Sequence, residues 1–383
     1  MMLSLPTGDG ELFAWRPSGT APIEPEQGGF HSRVAFAATH VIPDPFRERQ
    51  RGESPIIDWD ATLSIRRHLW GLGLGVAEAM DTAQRGSGVA WDTARDLIHR
   101  TATEAEGPAV YGAGTDQLAA GGEYSLEEIT EAYREQVSFI EELGGQAIVM
   151  ASRQLAAAAR SPEEYLAVYD EVIASSSRPL LIHWLGEAFD PSLADYWGAK
   201  DPWTAAETVL EMVASHPGDL SGIKLSVLDA ELEVDLRRRL PNGVAMFTGD
   251  DLNYVDLIEG DASGHSDALL GVLGPIAPAA TTAFQALDRG DHAGYRSALE
   301  PTLPLARHMF SEPTFDYKTG IVFLAYLNGL QNHFRMVEGA ESARSLPHLA
   351  KVLVLADRAG LISDPDMAAR RMKPLLELGG VRD

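Results

Sequence analysis

The sequence predicts an α/β protein, a (β/α)8 barrel of the TIM type with a C-terminal helical extension. Three observations carry this. Eight short apolar runs, at 33–39, 71–77, 109–112, 146–151, 179–184, 222–225, 243–247 and 268–272, end in small or polar residues. Longer stretches of helical period lie between them, and strand followed by helix, repeated, makes parallel strands with helical crossovers. After residue 282 only helical patterns follow, at 282–289, 293–311, 319–336 and 346–359. Eight parallel strands with covered faces close naturally into a barrel.

The first thirty residues are rich in Gly, Pro and Glu and read as an irregular arm or an added hairpin, not as core. The expected organisation is an arm over 1–30, a barrel over 31–290 and helices over 291–383. The helix at 58–70 begins at an acidic N-cap, Asp58, and the helix at 91–105 follows strand two. Ser125-Leu126-Glu127-Glu128 is a capping box that opens the helix at 125–143. Ser161-Pro162 places proline at the first helical position of 161–175. Stretches at 203–215, 229–240 and 254–259 continue the alternation. An open doubly wound sheet competes with the barrel. It would want a Gly-rich phosphate turn after strand one, and Thr39-His40-Val41-Ile42-Pro43 is not one. Gly71, Gly73 and Gly75 lack the third spacing of the dinucleotide fingerprint.

Composition narrows the function. The 383 residues include no cysteine, which removes disulfides, a thiolate nucleophile and Cys-ligated metal centres. Lys plus Arg is 31 and Asp plus Glu is 56, a net charge of −25. Such acidity argues against nucleic acid or an anionic membrane as partner, and Arg237-Arg238-Arg239 is too short a basic run to change that. Apolar stretches such as 268–280 contain Gly and Pro and fall short of the about 20 residues that span a bilayer. Asp9 and Glu11 stand where a signal peptide would be basic or apolar. A cytoplasmic protein is expected. The late helices carry apolar positions, Ile321, Leu324, Leu327 and Leu330, wider than one barrel helix needs, so a homo-oligomer, dimer or tetramer, is expected.

In such barrels the reactive residues lie at the C-terminal ends of strands and in the loops that follow. Those positions hold His40; Glu78 and Asp81; Thr115 and Asp116; Ser152 and Arg153; His183, Trp184 and Glu187; Lys224 and Ser226; Thr248, Asp250 and Asp251. Strand eight ends on Gly271 and Gly274, without a charge. Lys224 stands out, because Ser221-Gly222-Ile223-Lys224-Leu225-Ser226 frames it in an apolar strand. A buried lysine loses solvation, its pKa falls, and the neutral amine can attack a carbonyl. A lysine ion-paired to barrel-top carboxylates fits the same position.

The strand Gly-Ile-Lys-x-Ser resembles the Schiff-base strand of the dihydrodipicolinate synthase and N-acetylneuraminate lyase superfamily. Other stretches follow in the family's order. Ala38-Thr39 with Pro43-Asp44-Pro45-Phe46 is similar to its Thr-Pro-Phe stretch, and Phe247-Thr248-Gly249-Asp250-Asp251 to its strand-seven Gly-x-Asp motif. The Gly-rich 260–264 and 269–278 resemble its strand-eight region, and 315–335 its penultimate helix with the Arg that ends it. The resemblance covers roughly residues 33–365. It implies a tetrameric class I lyase, without metal or other cofactor, in which Lys224 forms an imine with a small keto substrate for C–C cleavage, condensation or dehydration. Together with the strand-end reading, Thr39, His40, Glu78, Asp81, Trp184, Glu187, Ser226, Thr248, Gly249 and Asp250 are expected around the substrate.

Two departures from the family matter. Its Tyr-Asn at the end of strand five is replaced by His183-Trp184, and a histidine with a pKa near neutral could carry the proton either way. Its hydroxyl-rich strand-two loop, which holds a substrate carboxylate, is replaced by Gly75-Val76-Ala77-Glu78-Ala79-Met80-Asp81-Thr82. Glu78 and Asp81 would repel a carboxylate, so a neutral keto sugar fits better than pyruvate. The loop at 185–203 adds Phe189, Tyr196, Trp197 and Trp203, either a sugar platform and lid or a packed interface. Two rival functions stay open. One is a divalent-metal lyase or isomerase using His183, Glu187, Glu78, Asp81 and Asp250; the other is an inactive barrel that binds a metabolite.

Overall fold

The computed structural model describes residues 2–50 and 52–381; Met1, Arg51, Arg382 and Asp383, which include the outermost residues of the expected arm and extension, lie outside them. Two compact units are formed, one from Met1–Ser32, Thr39–Leu74 and Gly271–Asp383, the other from Arg33–Ala38 and Gly75–Leu270.

The second unit contains every barrel strand. These are β3 (Ala35–Ala38), β4 (Gly75–Glu78), β5 (Ala109–Ala113), β6 (Gln146–Met150), β7 (Leu180–Leu185), β8 (Leu220–Ser226), β9 (Ala245–Thr248) and β10 (Asp267–Leu270); β1 (Leu3–Pro6) and β2 (Leu12–Trp15) precede them in the first unit. Each pairs with the next in parallel, and β10 closes the ring by pairing with both β9 and β3. The chain is therefore a (β/α)8 barrel with C-terminal helices. Phe36, Ala38, Ala77, Val110, Ile148, Leu181, Phe247 and Leu269, one or two from each strand but β8, form one buried cluster. They mark the inward parity of each strand, because successive side chains alternate faces.

Strand two begins later than expected, at Gly75 instead of 71. The helix Trp59–Gly71, capped by Asp58, which accepts from Ala61 N at 3.0 Å, ends on the first residue of that apolar run, and the turn at 72–74, whose N–H groups donate back to the Leu69 and Trp70 carbonyls, takes up the residues before the strand. The other caps fall where the sequence puts them. Ser125 and Glu128 form the reciprocal box at the start of Leu126–Glu142, Pro162 opens Pro162–Ser175, and Asp229 accepts from Leu232 N at 3.0 Å.

In the first unit β1 (Leu3–Pro6) and β2 (Leu12–Trp15) form an antiparallel hairpin. The hairpin is core, contrary to the sequence reading: Leu3, Leu5 and Trp15 are buried, and β1 packs on the helices Leu346–Arg358 and Pro365–Leu378. The expected helix 293–311 is two, His292–Leu299 and Leu303–Met309, interrupted around Pro301 and Pro304, which cannot donate to a continuing helix. The expected helix 319–336 ends at Leu327. Gly329 turns left-handed (φ 78°) and Leu330 N donates back to the Ala325 carbonyl at 3.0 Å, a C-terminal stop. Ile321, Leu324 and Leu327 are buried within this unit, and Leu330 is half-buried, so this face is not an exposed surface for another subunit. Among the described residues no helix is long and apolar enough to cross a membrane.

One buried acid of the barrel unit makes a stability prediction. Glu233, on the helix Ala230–Arg239, accepts from Ser266 Oγ at 2.7 Å and is 1% exposed. Burial pushes its carboxyl up to about 8, against the pull of Ser266, Thr248 and Arg237. Between the ordinary glutamate value of about 4.3 and that raised value the folded chain holds a proton the unfolded chain releases, so stability falls as pH rises through this window. Glu233→Gln keeps the shape and removes the titration. Its melting temperature should fall less than the parent's between pH 5 and pH 9; parallel curves would show that Glu233 does not titrate there.

Candidate active site

Lys224 is the centre of the candidate site, and its position in β8 gives it inward parity. His183 on β7 pairs in register with Lys224, Lys224 pairs with Phe247 on β9, and Leu181 and Phe247 both belong to the interior cluster. Two residues further along β8, Ser226 faces the same way, and its Oγ lies 3.1 Å from His183 Nε2. Lys224 is 7% exposed. Burial lowers its pKa from an ordinary 10.5 to about 8, while the carboxylates of Asp251 and then Asp81 pull it back up. Without the acids desolvation would depress the amine further; with them it titrates near neutral pH.

Gly249 leaves room for this arrangement. Its N–H donates to the Leu225 carbonyl at 2.8 Å. A Cβ there would collide with Ser226 Oγ and stand 2.7 Å from the Leu225 carbonyl and 3.0 Å from Lys224 Cε. His183 is 1% exposed. Burial first, then the Lys224 charge, hold its pKa well below the usual histidine range, so the ring is neutral. That corrects the near-neutral value expected from sequence. Its Nδ1 is buried without a hydrogen-bond partner among the described residues.

Other expected site residues point elsewhere. Glu78 shares the outward parity of Val76, opposite Ala77. Its carboxylate accepts from Thr101 Oγ1 at 2.6 Å, on the helix Trp91–Glu104, and from Ala79 N at 2.9 Å. It is a buried anchor behind the strand. Thr248 likewise faces outward, to Glu233. Asp250 ties down the turn into the helix Tyr254–Glu259, accepting from Leu252 N at 2.9 Å, Asn253 N at 3.1 Å and Asn253 Nδ2 at 2.8 Å. Trp184 has the outward parity of Ile182, and Glu187 is exposed. In the loop after β7, Tyr196 and Trp197 are buried against Tyr165 and Tyr169 of Pro162–Ser175, so these two rings are packing and not a platform. Thr39 and His40 belong to the first unit. There His40 Nε2 lies 2.9 Å from Gln331 Oε1, burial takes its pKa down to about 4, and Thr39 Oγ1 is buried without a partner among the described residues.

The residue that the list of expected ligands omitted is Asp251. The signal was present in Gly249-Asp250-Asp251: two acids follow the glycine, and the first is used by the turn. Among the described residues no group of three or more His, Asp or Glu gathers that could hold a metal ion; of the set considered above Glu78 goes to the helix layer, Asp250 to a turn and Glu187 to the surface.

Solved structures to which this chain is similar include members of the dihydrodipicolinate synthase family. A prophage protein of E. coli K12 belonging to that family, in complex with pyruvate, superposes with a TM-score of 0.67 at 13% identity, over 86% of this chain and 99% of its own. Dihydrodipicolinate synthase of Cyanidioschyzon merolae with lysine bound gives 0.64 at 15% identity, over 86% and 99%. The Thermotoga maritima enzyme gives 0.63 at 16%, over 86% and 100%. At these identities the shared property is the fold, the one that the sequence resemblance implied. The chain itself belongs to the family described as "Protein of unknown function (DUF993)", whose model matches residues 3–381. A search of curated proteins found no match.

Gly249→Ala should remove reactivity of the Lys224 amine toward a small acylating reagent at pH 8, because Ser226 and the lysine stem must move. An unchanged labelling rate in a folded variant would show that the close approach is not needed.

Proposed function

We propose that the protein is a class I lyase that forms an imine between Lys224 and the ketone of its substrate. The observation that carries this reading is a lysine buried at the end of an inward-facing strand, with its pKa lowered to about 8, beside a neutral histidine–serine pair. The neutral amine attacks the carbonyl carbon to give a carbinolamine. Proton transfer to the hydroxyl lets it leave as water, and the nitrogen keeps both new bonds to carbon. The resulting iminium accepts the electron pair released by C–C cleavage or by loss of an α-proton. Ser226, two residues further along β8, and His183, 3.1 Å from its hydroxyl, would move those protons.

The electrostatics favour a neutral keto sugar over a 2-keto acid. Asp251 and Asp81 both act on Lys224. The arginines on nearby strand-end loops are occupied: Arg85 by Asp116 at 2.6 Å, Arg153 by Asp190 at 2.5 Å. A carboxylate would meet two acids here, whereas hydroxyls find acceptors in them. The E. coli neighbour was solved with pyruvate; the acids distinguish this chain's preference from that ligand.

Incubation with a panel of keto sugars and keto acids plus borohydride should add a substrate's mass to the peptide that contains Lys224. The rate should climb as pH rises through about 8, as the amine deprotonates. Lys224→Ala should abolish the adduct. Turnover without an adduct, retained in Lys224→Arg, would sink the imine. His183→Phe should lower turnover by about 10²–10⁴-fold without unfolding the barrel. Pyruvate should label the parent weakly, and tight pyruvate binding would return the chain to keto-acid chemistry.

A further inference from the structure

Arg85 is buried at the end of the loop that follows β4, and its guanidinium has more partners than a structural ion pair needs. Nε donates to Asp116 Oδ2 at 2.8 Å and Nη2 to Asp116 Oδ1 at 2.6 Å. Nη2 also donates to Gln136 Oε1 at 2.5 Å, and Nη1 to the carbonyls of Gly112 at 2.8 Å and Ala79 at 3.1 Å. The last bond reaches back over the loop to its first residue. Ala79 is in the left-handed region (φ 55°), and so is Gln84 (φ 59°), at the other end of the short turn Asp81–Ala83. Two non-glycine residues in that region persist only where surrounding bonds fix them. Ala79 is fixed on both sides, its N–H by the Glu78 carboxylate and its carbonyl by Arg85. Asp81 sits in the middle.

We propose that Arg85 is a positioning residue for the active site: by clamping residues 79–85 it presents the Asp81 carboxylate to Lys224. The bidentate hold on Asp116 makes the guanidinium a rigid part, and its reach to two strand-end carbonyls ties the loop to β5. The charged groups acting on Lys224 are Asp251 from the loop after β9 and Asp81 from the clamped loop, with the neutral His183 beside it on β7. Release of the loop should therefore have one electrostatic signature, the partial loss of the Asp81 contribution.

This builds on Lys224 as the reactive amine, yet its test needs no imine. The pH dependence of acetylation at Lys224 would be followed on its own peptide in the parent, Arg85→Lys, Asp81→Asn and the double variant. Asp81→Asn should shift the midpoint to lower pH. Arg85→Lys should shift it the same way, and the double variant should go no further than Asp81→Asn. Amide exchange should speed up over 79–86 in Arg85→Lys. If Arg85→Lys does not fold, Thr101→Val loosens the Glu78 anchor instead and should give the smaller shift of the same sign. An unmoved midpoint in a folded variant, or shifts that add in the double variant, would overturn the proposal. A failure of borohydride trapping with these shifts intact would count against the imine alone.

Discussion

An amine inside a ring of apolar side chains is the constraint on which the chemistry of the barrel unit depends. A lysine ammonium in such surroundings loses most of its hydration, a cost that usually exceeds what the strand recovers by pairing. The structure meets it in two ways at once. Desolvation carries the amine toward neutrality, and Asp251 and Asp81 hold it back. Neither effect wins outright, which leaves an amine near its titration point. A barrel end can sustain such a balance because the acids come from loops after β9 and β4 while the lysine comes from β8, so each can be placed independently.

The same balance explains why the histidine beside it is neutral. A charged imidazole would be buried next to the lysine charge, and both desolvation and that repulsion oppose it. His183 therefore acts as a donor and acceptor of hydrogen bonds, with Ser226 on one nitrogen and the other nitrogen buried inside the site. On the proposed imine route the lesser of these two effects, the Lys224 charge, is absent once the lysine becomes an uncharged carbinolamine, so His183 would take a proton more readily then than in the resting site, with desolvation still opposing it. The proposed proton relay is in this sense conditional on the state of Lys224.

Much of this was legible in the sequence, and what was not follows from two physical features. The eight strands, the capping box at Ser125 and the singular position of Lys224 are local patterns, read from apolar frames and caps. Side-chain direction was the first difficulty. Glu78 and Asp81 stand three apart and look equivalent when strand two is ended at Ala77, yet the strand runs through Glu78, which lies on the face opposite Ala77. Had the strand been carried one residue further, its period of two would have turned Glu78 away and left Asp81. Long-range packing was the second difficulty. The hairpin at Leu3–Trp15 has short, Gly-bounded strands that look like an arm, and only the helices near the C-terminus make Leu3, Leu5 and Trp15 core. The helix Pro365–Leu378 went unread because Pro374 lies within it, although Asp364 and Pro365 give it a regular start.

The residues that were expected at the substrate and that the structure uses elsewhere are not idle. Glu78, Thr248 and Asp250 each stabilise the backbone next to a residue that faces Lys224 or adjoins it: Glu78 the start of the Asp81 loop, Thr248 the turn across Gly249 by accepting from Asp250 N, Asp250 the turn that carries Asp251. A strand end offers alternate side chains to the lumen and to the layer outside. When a lumen residue must be held against the repulsion or desolvation of its neighbours, the outward residue next to it is the natural place for the restraining bond. An acidic residue suits that role, because it can accept backbone N–H groups at a turn that lacks ladder partners. The acidity of these loops thus has two origins, electrostatic for Asp81 and Asp251 and architectural for the residues between them and the strands, and a substitution at either kind would impair reactivity by a different physical route.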